Sequence, residues 1–182
     1  MPPIIETDYL ILRQFVPEDA DTYYTQILSD PEVMKTLSTR QPVPYEMLPS
    51  IMERRLTYWE KHGFGLFAVT IKENGILIGH CGLLKMEDID EIEVGYALGK
   101  AYWGFGLATE AAKASLRFGF EELQLDRIVA VAFQDNAASL RVMEKIGLKF
   151  EKNTFVYNAD MPLYALHRKD YRPDETFYRL HK

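Results

Sequence analysis

The sequence predicts a mixed α/β domain: a central twisted sheet, mostly antiparallel, with one parallel strand–helix–strand crossover and helices on both faces. Three observations carry this. Residues 64–73 and 75–86 are two β-rich runs joined through Asn74-Gly75, a pair that suits the positive-φ positions of a hairpin turn. Residues 90–99 and 126–135 also read as strands, but a helical stretch over 106–122 separates them, and strands linked through a helix lie parallel. Residues 148–158 and 161–171 follow as a closing antiparallel pair.

The first elements lead into that sheet. "TDYLILRQF" (7–15) alternates and is β-rich, so it reads as a strand. "PEDADTYYTQILSD" (17–30) opens on Pro17 and two acids, which suits a helix N-terminus. Residues 44–63 carry Ile51, Leu56 and Trp59 at roughly helical spacing, with a break expected at Pro49 and an end at Gly63. In "DEIEVGYALG" (90–99), Ile92, Val94, Tyr96 and Leu98 share one face, and Glu91, Glu93, Gly95 and Ala97 share the other. "DRIVAVAFQD" (126–135) is a near-continuous apolar run, as expected of a strand buried on both faces. "NAASLRVMEKIG" (136–147) reads as a short helix. Asp135 or Asn136 caps it, Leu140, Met143 and Ile146 form its buried stripe, and Gly147 stops it.

Composition bounds the function. The 182 residues suit a single domain over 1–182. One cysteine, Cys81, excludes an intrachain disulfide and fits a reducing compartment. There is no apolar run long enough for a membrane span, and the N-terminus lacks a signal-peptide pattern, so a cytoplasmic location is expected. A net charge of −6 argues against nucleic acid as a partner and is compatible with an amine-bearing substrate. A homodimer stays open. His62, His80, His167 and His181 show no ligand spacing, so no metal is expected. Cys81 has only His80 as a basic neighbour, and adjacent strand residues point apart, so it reads as an inert thiol.

The informative stretch is "KAYWGFGLATEAAKASLRFGF" (100–120). Gly104 and Gly106 sit where a strand hands over to a helix. Such a junction presents unpaired N–H groups and the positive end of the helix dipole, which favours a phosphate or pyrophosphate. Gly106 is followed by Leu107 and Ala108, not the Lys-Ser/Thr of a P-loop. A dinucleotide site needs a third glycine or alanine where Thr109 stands, and repeated parallel units where only one crossover is expected.

The remaining match is specific. The GNAT N-acetyltransferases carry Gln/Arg-x-x-Gly-x-Gly/Ala at this junction, and this chain reads Ala101-Tyr102-Trp103-Gly104-Phe105-Gly106. "YWGFGLATEA" (102–111) resembles the branch that acetylates the N-termini of ribosomal proteins. "TDYLILRQFVPEDADTYY", "SDPEVMKTL", "DNAASLRVMEKIGLKFE" and "YALHRKDY" resemble other segments of that branch in the same order.

The resemblance implies acetyl-CoA as cosubstrate and a primary amine as acceptor, either a protein N-terminus or a small molecule. The backbone N–H groups of Trp103, Gly104, Phe105, Gly106, Leu107 and Ala108 would hold the pyrophosphate, with the Thr109 hydroxyl as a further contact or a bond back to the helix. Asn136 would hold the pantetheine arm, and a backbone N–H near Leu98 would face the thioester oxygen. Glu93 is the implied general base, with Glu91 as second choice. Met143 stands where many members carry a tyrosine that protonates the leaving thiolate, so Ser139, which would also touch the cofactor, becomes the candidate acid. Tyr23, Tyr24, Trp59 and Phe64 read mostly as core, and the resemblance adds for Trp59 a place lining the acceptor pocket, because its helix borders the acceptor in the family. The alternative is a non-catalytic acyl-CoA-binding sensor of the same fold.

Overall fold

The computed structural model describes residues 2–182. The chain enters as a small hairpin, β1 (Ile4–Glu6) and β2 (Leu10–Arg13). The strand expected over 7–15 is therefore shorter, because Thr7 is spent on the turn. Its Oγ1 accepts the Leu10 N–H at 3.0 Å, replacing a ladder bond with a side-chain one. Residues 17–30 are also subdivided. A 3₁₀ turn (Pro17–Asp19), α1 (Ala20–Tyr23) and a π turn (Tyr24–Leu28) precede α2 (Pro31–Met34), which Asp30 caps through the Glu32 N–H at 2.8 Å.

The helix α3 (Leu48–His62) begins where a break was expected. Pro49 lies in its first turn, where a missing N–H costs nothing, and Gly63 ends it at φ 72°. Strands β3 (Leu66–Ile71), β4 (Leu77–Met86) and β5 (Glu91–Leu98) form an antiparallel meander. Helix α4 (Leu107–Arg117) ends five residues before its expected limit in a π turn (Phe118–Glu122), and crosses to β6 (Arg127–Val131). Then come α5 (Ala137–Lys145), β7 (Lys149–Val156), β8 (Ala159–His167) and a last short strand, β9 (Arg179–His181).

The nine strands of the described residues form one sheet in the order β7-β8-β6-β5-β4-β3-β2-β1-β9. Among the described residues, only β5 and β6 are parallel neighbours. Both terminal strands, β1 and β9, pair at one edge of the sheet. This architecture removes the dinucleotide reading, which needs several parallel units.

Strand alternation sends two apolar sets to opposite faces. Phe67, Cys81 and Leu98 pack with Ala111, Leu116 and Met143 of α4 and α5. Ala68 and Ala97 pack with Tyr23, Ile27, Ile51 and Met52 of the early helices. Burying side chains as large as Phe67 and Leu83 on the first face or Tyr23 and Ile27 on the second stabilises by roughly 1.5–3 kcal/mol each, so both layers hold the sheet. Among the described residues, no helix is long and apolar enough to cross a membrane.

Candidate active site

The parallel pair comes apart. β5 and β6 share a single bridge, Glu93 opposite Val129, and β6 stops at Val131. The Gly99 N–H donates to Ile78 O at 2.7 Å, which fixes the phase of the β4 ladder. Residues 93, 95 and 97 turn their backbone groups to β4, so 94, 96 and 98 turn theirs toward β6. Beyond the bridge, the N–H groups of Tyr96 and Leu98 therefore face a cleft instead of a strand. The Leu98 carbonyl is taken by the Trp103 indole, whose Nε1–H donates at 2.7 Å. The Leu98 N–H is left as the donor aimed at the cleft.

The glycine loop closes that end of β5. After a 3₁₀ turn (Lys100–Tyr102), Gly104 has φ 83° and Gly106 φ 78°, left-handed conformations that disfavour side chains. A Cβ at either position would meet no atom within 4 Å, so the space before the loop is open. Gly106 caps α4 without a side-chain bond, leaving the first-turn N–H groups of Leu107, Ala108 and Thr109 free for an anion. Open space, free donors and a helix N-terminus together fit the pyrophosphate of acetyl-CoA. Trp103 and Phe105 are exposed beside it. Among the described residues, the Thr109 hydroxyl has no hydrogen-bond partner, so it does not bond back to the helix.

The next residue of the motif has a structural job. Glu110 Oε1 accepts from Thr7 Oγ1 at 2.6 Å and from the Tyr9 N–H at 2.8 Å, tying α4 to the first hairpin. Sequence reasoning missed this, since the partners are about a hundred residues away.

Glu93 lies on the opposite face of β5 and is 7 % exposed. Burial pushes its carboxyl up from 4.5 to about 7, while a hydrogen bond from Tyr157 Oη to Oε1 pulls it back down. The space beside it is open, because a Cβ on Gly95 would meet only Leu66 Cδ2 at 4.0 Å. Tyr157 was not foreseen. It reaches Glu93 from the two-residue turn between β7 and β8, where Tyr157 and Asn158 take φ 50° and 58°. Glu91, the second choice as base, is occupied: its carboxylate pairs with Arg127 at 3.0 Å, and Arg127 also pairs with Glu151.

The α5 side of the cleft holds Asn136 and Ser139. Asn136 Oδ1 accepts the Ser139 N–H at 3.2 Å, so Asn136 is the helix cap. Ser139 Oγ and the Ser139 carbonyl each lie 3.0 Å from Tyr96 Oη. One expectation needs correction. Met143 does not lean toward the cleft; it is 1 % exposed and belongs to the core under α4. Its place in the buried stripe of α5 wins over its place in the motif. Trp59 is core, as expected of it, and does not line the acceptor pocket: its Nε1–H is donated to Leu66 O at 3.0 Å and its ring packs against Phe67.

Cys81 is buried and its thiol is pushed up to about 12 by burial. It lies 3.3 Å from Ser115 Oγ and has no base beside it. Among the described residues, no three His, Cys, Asp or Glu side chains gather as they would around a metal.

Comparison with known proteins agrees with this geometry. The acetyltransferase (GNAT) domain family matches residues 9–149. The chain is 31 % identical to the uncharacterized protein YkkB of Bacillus subtilis, over 91 % of this chain and 95 % of that one. It is 32 % identical to the uncharacterized N-acetyltransferase YnaD of Bacillus subtilis, over 81 % of this chain and 83 % of that one. Among solved structures, a GNAT-family acetyltransferase from Bacillus anthracis superposes with a TM-score of 0.78 at 28 % identity, over 91 % of this chain and 99 % of that one. A single parallel pair that opens at a glycine loop, in a chain so matched along its length, has one conclusion: the protein belongs to the GNAT family of acetyltransferases.

Proposed function

We propose that the protein moves the acetyl group of acetyl-CoA directly onto a primary amine, a protein N-terminus or a small-molecule amine. Acetyl-CoA supplies an acetyl thioester. Gly104 and Gly106, with the N–H groups of Trp103 to Ala108 and the Thr109 hydroxyl, hold its pyrophosphate. The Asn136 side chain, whose oxygen caps α5, has its amide N–H groups left for the pantetheine arm. The Leu98 N–H stabilises negative charge on the acyl oxygen.

The single observation that carries the reading is Glu93. A carboxyl near pH 7, beside open space on the acceptor face, is matched to take a proton from an amine through water. A protein that only senses acyl-CoA gains nothing from keeping such a group buried. Direct transfer is favoured over an acyl-enzyme because Cys81 is buried, hard to ionise and without a base. The test is CoA release from acetyl-CoA with a panel of amines: amino-terminal peptides, polyamines and aminoglycosides. Release that depends on the amine and fails with Glu93→Gln supports the reading. Binding of acetyl-CoA with no release for any amine supports the sensor instead.

A further inference from the structure

Ser139 is not alone at the cleft. Tyr96 leaves β5 just past the Glu93–Val129 bridge, on the α4 and α5 side of the sheet, and its phenol spans the opened parallel pair to the first turn of α5. Its oxygen lies 3.0 Å from the Ser139 carbonyl and 3.0 Å from Ser139 Oγ. A phenol has one proton, so it donates to one of these acceptors at a time. When it donates to the carbonyl, the serine hydroxyl donates to the phenol oxygen and its proton is spent. When it donates to Ser139 Oγ, the serine proton is free to point elsewhere. No heavy atom has to move between the two arrangements.

We infer that Tyr96 is a positioning residue for the leaving group: by donating to Ser139 Oγ it turns the serine hydroxyl toward the sulfur that departs from the acyl carbon. The inference rests on the transfer reaction proposed above. In that reaction the amine nitrogen bonds to the acyl carbon, the carbon–sulfur bond breaks and its electron pair goes to sulfur. The proton lost by nitrogen goes to Glu93. Ser139 then needs only to hydrogen-bond the thiolate, and neither hydroxyl has to ionise. Burial pushes the Tyr96 phenol up from its ordinary value, while a free thiol ionises near 8.5. Transfer of the phenol proton to sulfur is therefore uphill, and Tyr96 remains a donor throughout. Met143, turned into the core, offers no competing donor.

The experiment is calorimetric binding of CoA and of desulfo-CoA, which lacks the sulfur, at pH 8.5, where about half of a free thiol is ionised. The wild-type protein is expected to bind CoA about tenfold more tightly than desulfo-CoA, the scale of one hydrogen bond to a charged group. Tyr96→Phe and Ser139→Ala should each remove that preference and leave desulfo-CoA affinity within about twofold. Turnover should fall about tenfold in each with the acceptor KM unchanged, and the double variant should be no worse than Ser139→Ala alone.

A Tyr96→Phe protein that keeps the wild-type preference overturns the inference while the transfer reading stands. So does one that weakens both ligands equally, which is the mark of a mere strut across the cleft. Should Tyr96→Phe fail to fold, Ser139→Ala at the half-buried first turn of α5 carries the comparison: because Tyr96 acts only through this hydroxyl, a preference for CoA that survives Ser139→Ala overturns the inference. A wild-type protein that binds neither ligand overturns the transfer reading and the inference with it.

Discussion

Replacing Glu93 with glutamine tests the buried carboxyl without reference to any substrate. Its pKa rises from 4.5 to about 7 on folding because burial disfavours the charged form. The native state therefore holds this proton more tightly than the unfolded chain does. The favourable contribution is fully present below about 4.5 and is lost as pH rises through about 7. A change of this size amounts to about 3 kcal/mol between the two limits. Glutamine cannot ionise, and its amide oxygen still accepts from Tyr157. Urea unfolding of both proteins at pH 5, 6, 7 and 8 should show the variant gaining on the wild type as pH rises, toward about 3 kcal/mol at the top. Every other titrating group is common to both proteins, so the difference isolates this one. A stability difference that stays flat from pH 5 to 8 would refute the buried, proton-holding state. In turnover, the same variant should be slower by about 10²–10⁴-fold and lose its acidic limb.

Three further outcomes are expected. Tyr157→Phe removes the one hydrogen bond that lowers the Glu93 carboxyl, so the acidic limb of the rate profile should move up by about one to two pH units, read from initial rates across pH 6–9. Gly104→Val strains a residue at φ 83° and places a branched side chain in the open space before the loop. Calorimetry should show weaker acetyl-CoA binding by at least about tenfold, with the protein still folded by circular dichroism. Met143→Tyr forces a larger, polar side chain into a site that is 1 % exposed and should cost about 1–3 kcal/mol in a urea melt without raising turnover.

What could be read from residues alone was what neighbours along the chain decide. The meander β3–β4–β5, the glycine loop and the crossover to β6 depend on local alternation and turn chemistry, and their edges came within a few residues. The short strands β1 and β9 have three residues each, too few for periodicity to register; β1 is held between β2 and β9, and β9 is a strand only because it pairs with β1 at the other end of the chain. The early helices are broken by 3₁₀ and π turns that propensity does not encode. Met143 was legible twice, as a stripe residue and as a motif position, and the two readings conflict; packing decides for the stripe. Tyr96 was correctly placed on its face of β5, but its partner lies 43 residues away on α5, and alternation says nothing about that distance.

The acid–base character of the site depends on the same kind of distant contact. In the sequence, Glu93 shares a strand face with Gly95 and Ala97, and its role as base comes from the resemblance and not from any partner that the residues name. It becomes a group near pH 7 because the β7–β8 hairpin packs beside it and its turn delivers Tyr157 across 64 residues of sequence. The burial raises the carboxyl, and the phenol limits the rise. A fully isolated carboxyl would stay protonated at neutral pH and could not accept a proton, whereas a solvated one would be too weak a base. Tyr157 takes φ 50° to make the turn, a conformation that a non-glycine residue adopts at a cost. The strain sits on the residue that bonds Glu93, so the hairpin turn and the base of the proposed reaction are one piece of geometry.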